Sequence, residues 1–260
     1  MSLKPIGIFD SGAGGLSIWK EINSLMPNES TLYISDSKHA PYGPKGPEFI
    51  IKRAKSNTEI LLKMGAKIIV VACNTATTNA ITYLRKKYPV PFVGIEPAIK
   101  PASFLTNSNR IGILATKGTL SSSLFHETCK KYTKNKMVIE QEGNGIVELI
   151  ESGDLYSERM INLLKKYLSP MIEKNIDCIV LGCTHYHFLI PIIREIIPKK
   201  IKIIDSGEAV ALQTKNILKK KSMVNSSANN PYNRFYTNGK IKTIAELMNW
   251  DKSKIELLKN

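Results

Sequence analysis

The chain has 260 residues, 43% of them hydrophobic and 23% charged, and a formal net charge of +15 from 37 basic and 22 acidic side chains. That length buries one large core or two ordinary ones, and the composition is globular rather than fibrous or disordered. No run approaches the roughly 18–20 apolar residues of a membrane helix, and Cys73, Cys129, Cys178 and Cys183 lack the spacing of a disulfide framework.

In chain order, the stretch 1–7 runs straight into a strand pattern without a signal-peptide core, so a cytoplasmic protein with reduced thiols and no membrane partner is expected. Short apolar runs then alternate with helical periodicity to the end of the chain. Strands are predicted at 5–10, 31–35, 67–72, 91–95, 110–115, 137–141, 177–182, 201–205 and 234–237. Helices are predicted over 15–25, 47–64, 75–87, 121–132, 157–174, 188–196, 208–220 and 241–248. The Ser- and Asn-rich stretch 222–233 reads as an exposed loop. Strands alternating with helices in this way predict an α/β fold with parallel sheets.

An internal echo sharpens this. Ile6-Gly7-Ile8-Phe9 returns 105 residues later as Ile111-Gly112-Ile113-Leu114. The strands ending in Cys73 and Cys183 are 110 apart, and Val93-Gly94-Ile95-Glu96 is followed at that same offset by Ile203-Ile204-Asp205-Ser206. Two similar parallel-sheet α/β domains related by a pseudo-twofold axis are therefore expected, with the active site in the cleft between them. The division is 1–96 plus 208–260 for the first domain and 97–207 for the second.

The lysines fall in small groups, several at predicted helix C-termini, where cations complement the helix dipole. No zinc-finger or RRM signature accompanies them. The charge is read as solvated surface that aids capture of a small anion, with no nucleic-acid partner; a basic nucleic-acid-binding protein is the rival class.

The most telling residues are two cysteines at the ends of buried strands, in Ala72-Cys73-Asn74-Thr75 and Gly182-Cys183-Thr184-His185. Strand carboxyl ends are where open α/β sheets bind ligands. Moving a proton off a carbon beside a carboxylate and returning one to the opposite face needs a thiolate on one side and a thiol on the other. Cys73 precedes a predicted helix, whose N-terminus is expected to lower its pKa, and Cys183 is a similar candidate. Asp10, at the end of the first strand, could orient a thiol or hold an ammonium. The glycines of Asp10-Ser11-Gly12-Ala13-Gly14-Gly15 match neither a dinucleotide fingerprint nor a P-loop. Cys183-x-His185-x-His187 has alternate spacing but no second ligand pair, so no metal is expected. His185 is read as orienting or protonating Cys183, His187 as structural, and Cys129 and Cys178 as packing residues.

Phe9-Asp10-Ser11-Gly12-Ala13-Gly14-Gly15-Leu16-Ser17, Pro41-Tyr42-Gly43, Ala72-Cys73-Asn74-Thr75-Ala76 and Leu181-Gly182-Cys183-Thr184-His185-Tyr186 together closely resemble the glutamate racemases, in order, as far as Asp205-Ser206-Gly207-Glu208. The resemblance implies a cofactor-independent isomerase that interconverts L- and D-glutamate for peptidoglycan, with two α/β domains around its substrate and often a homodimer. Carried over, Cys73 and Cys183 would be the two bases. Asp10, Ser11, Tyr42, Gly43, Asn74, Thr75, Thr184 and His185 would line the substrate site, with Asp10 and His185 also tuning the thiols. The family's further acidic residue maps to Glu151, with Glu148 close by. A relative acting on aspartate is the nearest alternative.

Overall fold

The computed structural model describes residues 3–225 and 230–258 and resolves the alternation into two sheets. First come β1 (Ile6–Asp10), α1 (Leu16–Leu25), β2 (Thr31–Ser35), α2 (Pro47–Lys63), β3 (Ile68–Val71), α3 (Asn74–Lys87), β4 (Phe92–Gly94) and α4 (Ile99–Leu105). Then follow β5 (Arg110–Ala115), α5 (Lys117–Leu120), α6 (Ser123–Tyr132), β6 (Met137–Glu142), α7 (Ile146–Ser152), α8 (Glu158–Glu173) and β7 (Cys178–Gly182). A 3-10 turn, Thr184–Leu189, leads to α9 (Ile190–Ile196), β8 (Lys202–Ile204) and α10 (Gly207–Lys220). Finally β9 (Asn233–Thr237), α11 (Ile241–Met248) and β10 (Ile255–Leu257) close the chain.

The first sheet runs β10-β9-β2-β1-β3-β4 and the second β6-β5-β7-β8, with every pairing parallel. The chain thus leaves the first sheet after β4, builds the second, and returns through β9. The run β2-β1-β3-β4 matches β6-β5-β7-β8 position for position, so the sequence echo is a repeated topology. The register matches as well: Gly7 lies opposite Ile69, and Gly112 opposite Ile179. Both glycines answer the same steric demand. A Cβ on Gly7 would sit 2.8 Å from Ala66 Cβ, and one on Gly112 2.9 Å from Ile176 Cδ1; Ala66 and Ile176 hold equivalent places.

Among the described residues, no helix is long and apolar enough to cross a membrane. Basic residues do occupy last turns, with Arg85, Lys86 and Lys87 ending α3 and Lys219 and Lys220 ending α10. Four elements escape the sequence reading. Helices α4, α5 and α7 have seven residues or fewer, too few for periodicity to register. Strand β10 has three residues at a sheet edge. The predicted helix 188–196 starts later, because Pro191 fits only the first turn of α9 and a 3-10 turn precedes it.

The predicted exposed loop 222–233 needs a correction where it leaves α10; residues 226–229 lie outside the described part. Asn225 is buried, and its N–H donates to Glu29 Oε1 at 2.7 Å. Glu29 in turn pairs with Lys67 at 2.6 Å, and Lys67 Nζ also reaches Met223 O at 2.8 Å. The returning chain is therefore tied under the first sheet.

Asp177, just before β7, ties the turn between α4 and β5. It accepts bonds from Thr106 Oγ1 (2.6 Å) and from the N–H groups of Asn107 (2.6 Å) and Ser108 (2.8 Å). Desolvation works against its charge, but these bonds outweigh it and hold the carboxyl down at about 2. A carboxyl lowered by folding stabilises the fold above its unfolded pKa of about 4 and loses that contribution as pH falls toward 2. Denaturant melts between pH 5 and 2 are expected to show Asp177→Asn with a shallower acid decline than wild type; parallel declines would contradict this.

Candidate active site

The carboxyl ends of both sheets' strands meet at one cleft. Cys73 follows β3 in an extended conformation and caps α3, its sulfur accepting the Ala76 N–H at 3.4 Å. Its thiol donates to Ser11 Oγ, also at 3.4 Å. Cys183 follows β7, with Sγ 3.8 Å from His185 Nδ1. The two residues, 4% and 8% exposed, line a single narrow pocket.

Ser11, Tyr42 and Gly43 form the wall on the side of the first sheet, and Thr184 and His185 that on the side of the second. Asn74 and Thr75, in the first turn of α3, lie between them. Thr75 Oγ1 is 2.8 Å from Thr116 Oγ1 across the cleft. The Asn74 amide is buried, and neither its nitrogen nor its oxygen has a hydrogen-bond partner. Leaving such a group unpaired costs about 1–3 kcal/mol, a cost a polar ligand would remove.

Asp10 and Glu151 stand behind the wall rather than in it. Asp10 is fully buried; Oδ1 accepts from Ser11 Oγ and the Gly12 N–H, both at 2.9 Å, and Oδ2 accepts from Thr184 Oγ1 at 2.7 Å. Burial raises its pKa, partly offset by the charge of His185 and by these bonds. Glu151, on α7, is 2.6 Å from His185 Nε2 and accepts the Ala13 N–H at 2.6 Å and Ser37 Oγ at 2.8 Å. Against the cost of burial, the His185 bond and charge hold its carboxyl below the usual range. Glu148, one turn earlier, is exposed along an outer groove that shares Pro41, Gly43, Thr116 and Val147 with the inner pocket.

Burial alone would favour neutral His185, but its bonds to Cys183 and Glu151, and their charges, raise its pKa well above the ordinary value. As an imidazolium it donates from Nε2 to Glu151 and from Nδ1 toward the Cys183 sulfur. The Gly14 N–H also points at Nε2, at 3.3 Å, but a protonated ring has no lone pair there to accept it.

Cys73 departs from expectation. A helix N-terminus was expected to lower its pKa, yet burial, followed by the Asp10 carboxylate, pushes the thiol up. The bond with Ser11 and that from the Ala76 N–H offset only part of this, because a helix end carries about half a charge while full desolvation acts on a whole one.

The sequence reading missed Thr116 and Val147, both in the cavity wall. Thr116 carried a signal, since it lies 105 residues after Ser11, at the offset of the strand echo. Val147 is one turn before Glu151, so α7 presents both toward the cleft. His187 pairs with Asp205 at 3.1 Å, His39 bonds Asp36 at 2.8 Å, and His126 packs on Phe125. Cys178 lies in the core of the second sheet, and Cys129 is packed against it. Among the described residues no group of three or more His, Cys, Asp or Glu side chains is arranged to hold a metal.

Comparison with known proteins agrees with this geometry. The family model described as Asp/Glu/Hydantoin racemase matches residues 6–214. A glutamate racemase of Pseudomonas syringae pv. tomato is 46% identical over 223 residues, covering 85% of this chain and 81% of the relative. That of Stutzerimonas stutzeri is 41% identical over 245 residues, covering 94% and 92%. The crystal structure of Escherichia coli glutamate racemase, in complex with L-glutamate and the activator UDP-MurNAc-Ala, superposes with a TM-score of 0.86 at 31% identity, covering 98% of each chain. The Francisella tularensis enzyme in complex with D-glutamate gives 0.86 at 28%, covering 100% of this chain and 98% of that one. By its two-sheet architecture, its paired thiols and these matches, the chain belongs to the Asp/Glu/Hydantoin racemase family of isomerases.

Proposed function

We propose that the chain interconverts L- and D-glutamate without a cofactor, by two-base chemistry between Cys73 and Cys183, and supplies D-glutamate for peptidoglycan in the cytoplasm. The observation that carries this reading is the pair of thiols lining one pocket at the carboxyl ends of the two sheets. The glutamate racemases among its relatives, and the solved ones holding L- or D-glutamate, support the choice of substrate.

In each turnover one thiolate takes the α-proton, and the electron pair left behind is spread into the α-carboxylate. The opposite thiol delivers its proton to the other face, so the two sulfurs exchange protonation states. Burial keeps Cys73 as the thiol before substrate binds, and the substrate enantiomer decides which sulfur takes the α-proton. Asn74, Thr75 and Thr184 stand beside the sulfurs in sequence and meet the groups on the reacting carbon. Ser11, Tyr42, Gly43 and His185 complete the surface around the substrate. Asp10 acts through Ser11 and Thr184, and Glu151 through His185. The domains that close on the substrate are 1–96 with 208–260, and 97–207.

Circular dichroism of glutamate and aspartate enantiomers, with NMR of the product formed in D2O, tests the reading. Both glutamate enantiomers are expected to racemise and acquire α-deuterium, with aspartate much slower. Preference for aspartate would overturn the substrate. Complete retention of the original α-hydrogen would overturn exchange through the thiols.

A further inference from the structure

The Tyr42 ring lies in the cavity wall, but its hydroxyl is committed elsewhere: it donates to Asp36. Asp36 follows β2, is fully buried, and collects donors from three further elements. Arg53 of α2 grips it with two prongs, Nε to Oδ2 and Nη2 to Oδ1, both at 2.8 Å. His39 Nδ1 is 2.8 Å from Oδ1, and the Asn238 amide donates to the same oxygen. Asn238 is there because β2 and β9 pair with Ser35 opposite Thr237, which sets the next residues side by side. Its oxygen also accepts the Lys38 N–H at 2.9 Å. Against the cost of burial, Arg53 and the other donors keep the Asp36 carboxyl below its ordinary range. Asp36 is thus a charged acceptor that anchors the tyrosine from behind.

The other face of the loop 41–43 presses on the opposite wall of the cleft. A Cβ on Gly43 would lie 3.1 Å from Thr116 Cβ, and one on Gly118 3.0 Å from Gly43 O. Pro41 and Gly43 of the loop line both the inner pocket and the outer groove. Tyr42 and Gly43 line the same pocket as Cys73 and Cys183, so the loop is part of the surface that a bound substrate meets.

We propose that Arg53 and Asn238 are positioning residues which, through Asp36 and the Tyr42 hydroxyl, fix the 41–43 loop in the wall of the pocket and so set the affinity for substrate. This rests on the glutamate reading above.

The test measures kcat and KM for glutamate in wild type, Tyr42→Phe, Arg53→Lys and the double variant. Tyr42→Phe keeps the ring and removes only the bond to Asp36, the loss of one hydrogen bond to a charged group, or about tenfold or more. Arg53→Lys keeps the charge but cannot reproduce the two-pronged contact. Each is expected to raise KM for glutamate about tenfold, with kcat within about threefold of wild type. The double variant is expected to be little worse than either single one, since both cut the same linkage. A purely structural role would reduce the active fraction, and so kcat, without moving KM; that result overturns the proposal. If Arg53→Lys fails to fold, Tyr42→Phe decides by the same two readouts. A wild-type protein inactive on glutamate would instead remove the glutamate reading, while active wild type with unaltered variants removes the latch alone.

Discussion

Cys73→Ala and Cys183→Ala are each expected to lower racemisation of both glutamate enantiomers by about 10²–10⁴-fold or more, because each removes an acid/base group. Both directions fail together, since either thiol is the donor in one direction and the acceptor in the other. The neighbours left behind do not substitute. Asp10 is held behind Ser11, its oxygens engaged by Ser11, Gly12 and Thr184, and His185 is locked to Glu151 at 2.6 Å. The fold should survive: Cys73→Ala loses the cap on the Ala76 N–H, worth about 1 kcal/mol, and Cys183 caps nothing through its side chain. Circular dichroism reports both quantities, the sign change of the substrate and the helical signal of the protein. A folded variant that racemises at the wild-type rate would refute the two-base assignment.

The second large effect is on stability. Lys67→Met is expected to cost about 3–5 kcal/mol, because it strands Glu29 as a buried charge without its counter-ion. Both side chains are no more than 2% exposed, so water cannot screen the loss. The Asn225 N–H remains on Glu29, but the Lys67 bond to Met223 O disappears with the amine. Exchanging both partners, Lys67→Met with Glu29→Leu, removes both buried charges and should recover much of the loss. Urea melts of the three variants measure this. A single-variant loss under about 1 kcal/mol would show that the pair does not secure the returning chain.

What the sequence disclosed, and what it withheld, follows from the range over which each force acts. β-branched runs such as Ile68–Val71 and the strand echo of Gly7 with Gly112 were legible, because periodicity and close packing leave local marks. Both cysteines were legible as strand-end residues. The short helix α7 was not: it is bounded by Gly145 and Gly153 at φ of 82° and 87°, and its seven residues span two turns. The state of the Cys73 thiol was also hidden, because desolvation depends on everything that packs over it while only the helix end is written nearby. The Asp36 hub was invisible for a similar reason, its donors at Arg53 and Asn238 being distant in sequence and joined only by the sheet order. Thr116 lay between these cases, readable had the strand echo been extended one residue past the strand.

The central claim is that two sulfurs address one carbon from opposite sides. A crystal structure with D- or L-glutamate bound tests it most directly. Both Cys73 Sγ and Cys183 Sγ are expected about 3.5 Å from the substrate α-carbon, near the separation from which reacting atoms engage, and on opposite faces of it. A substrate carbon within reach of only one sulfur, or with both on the same face, would contradict the account.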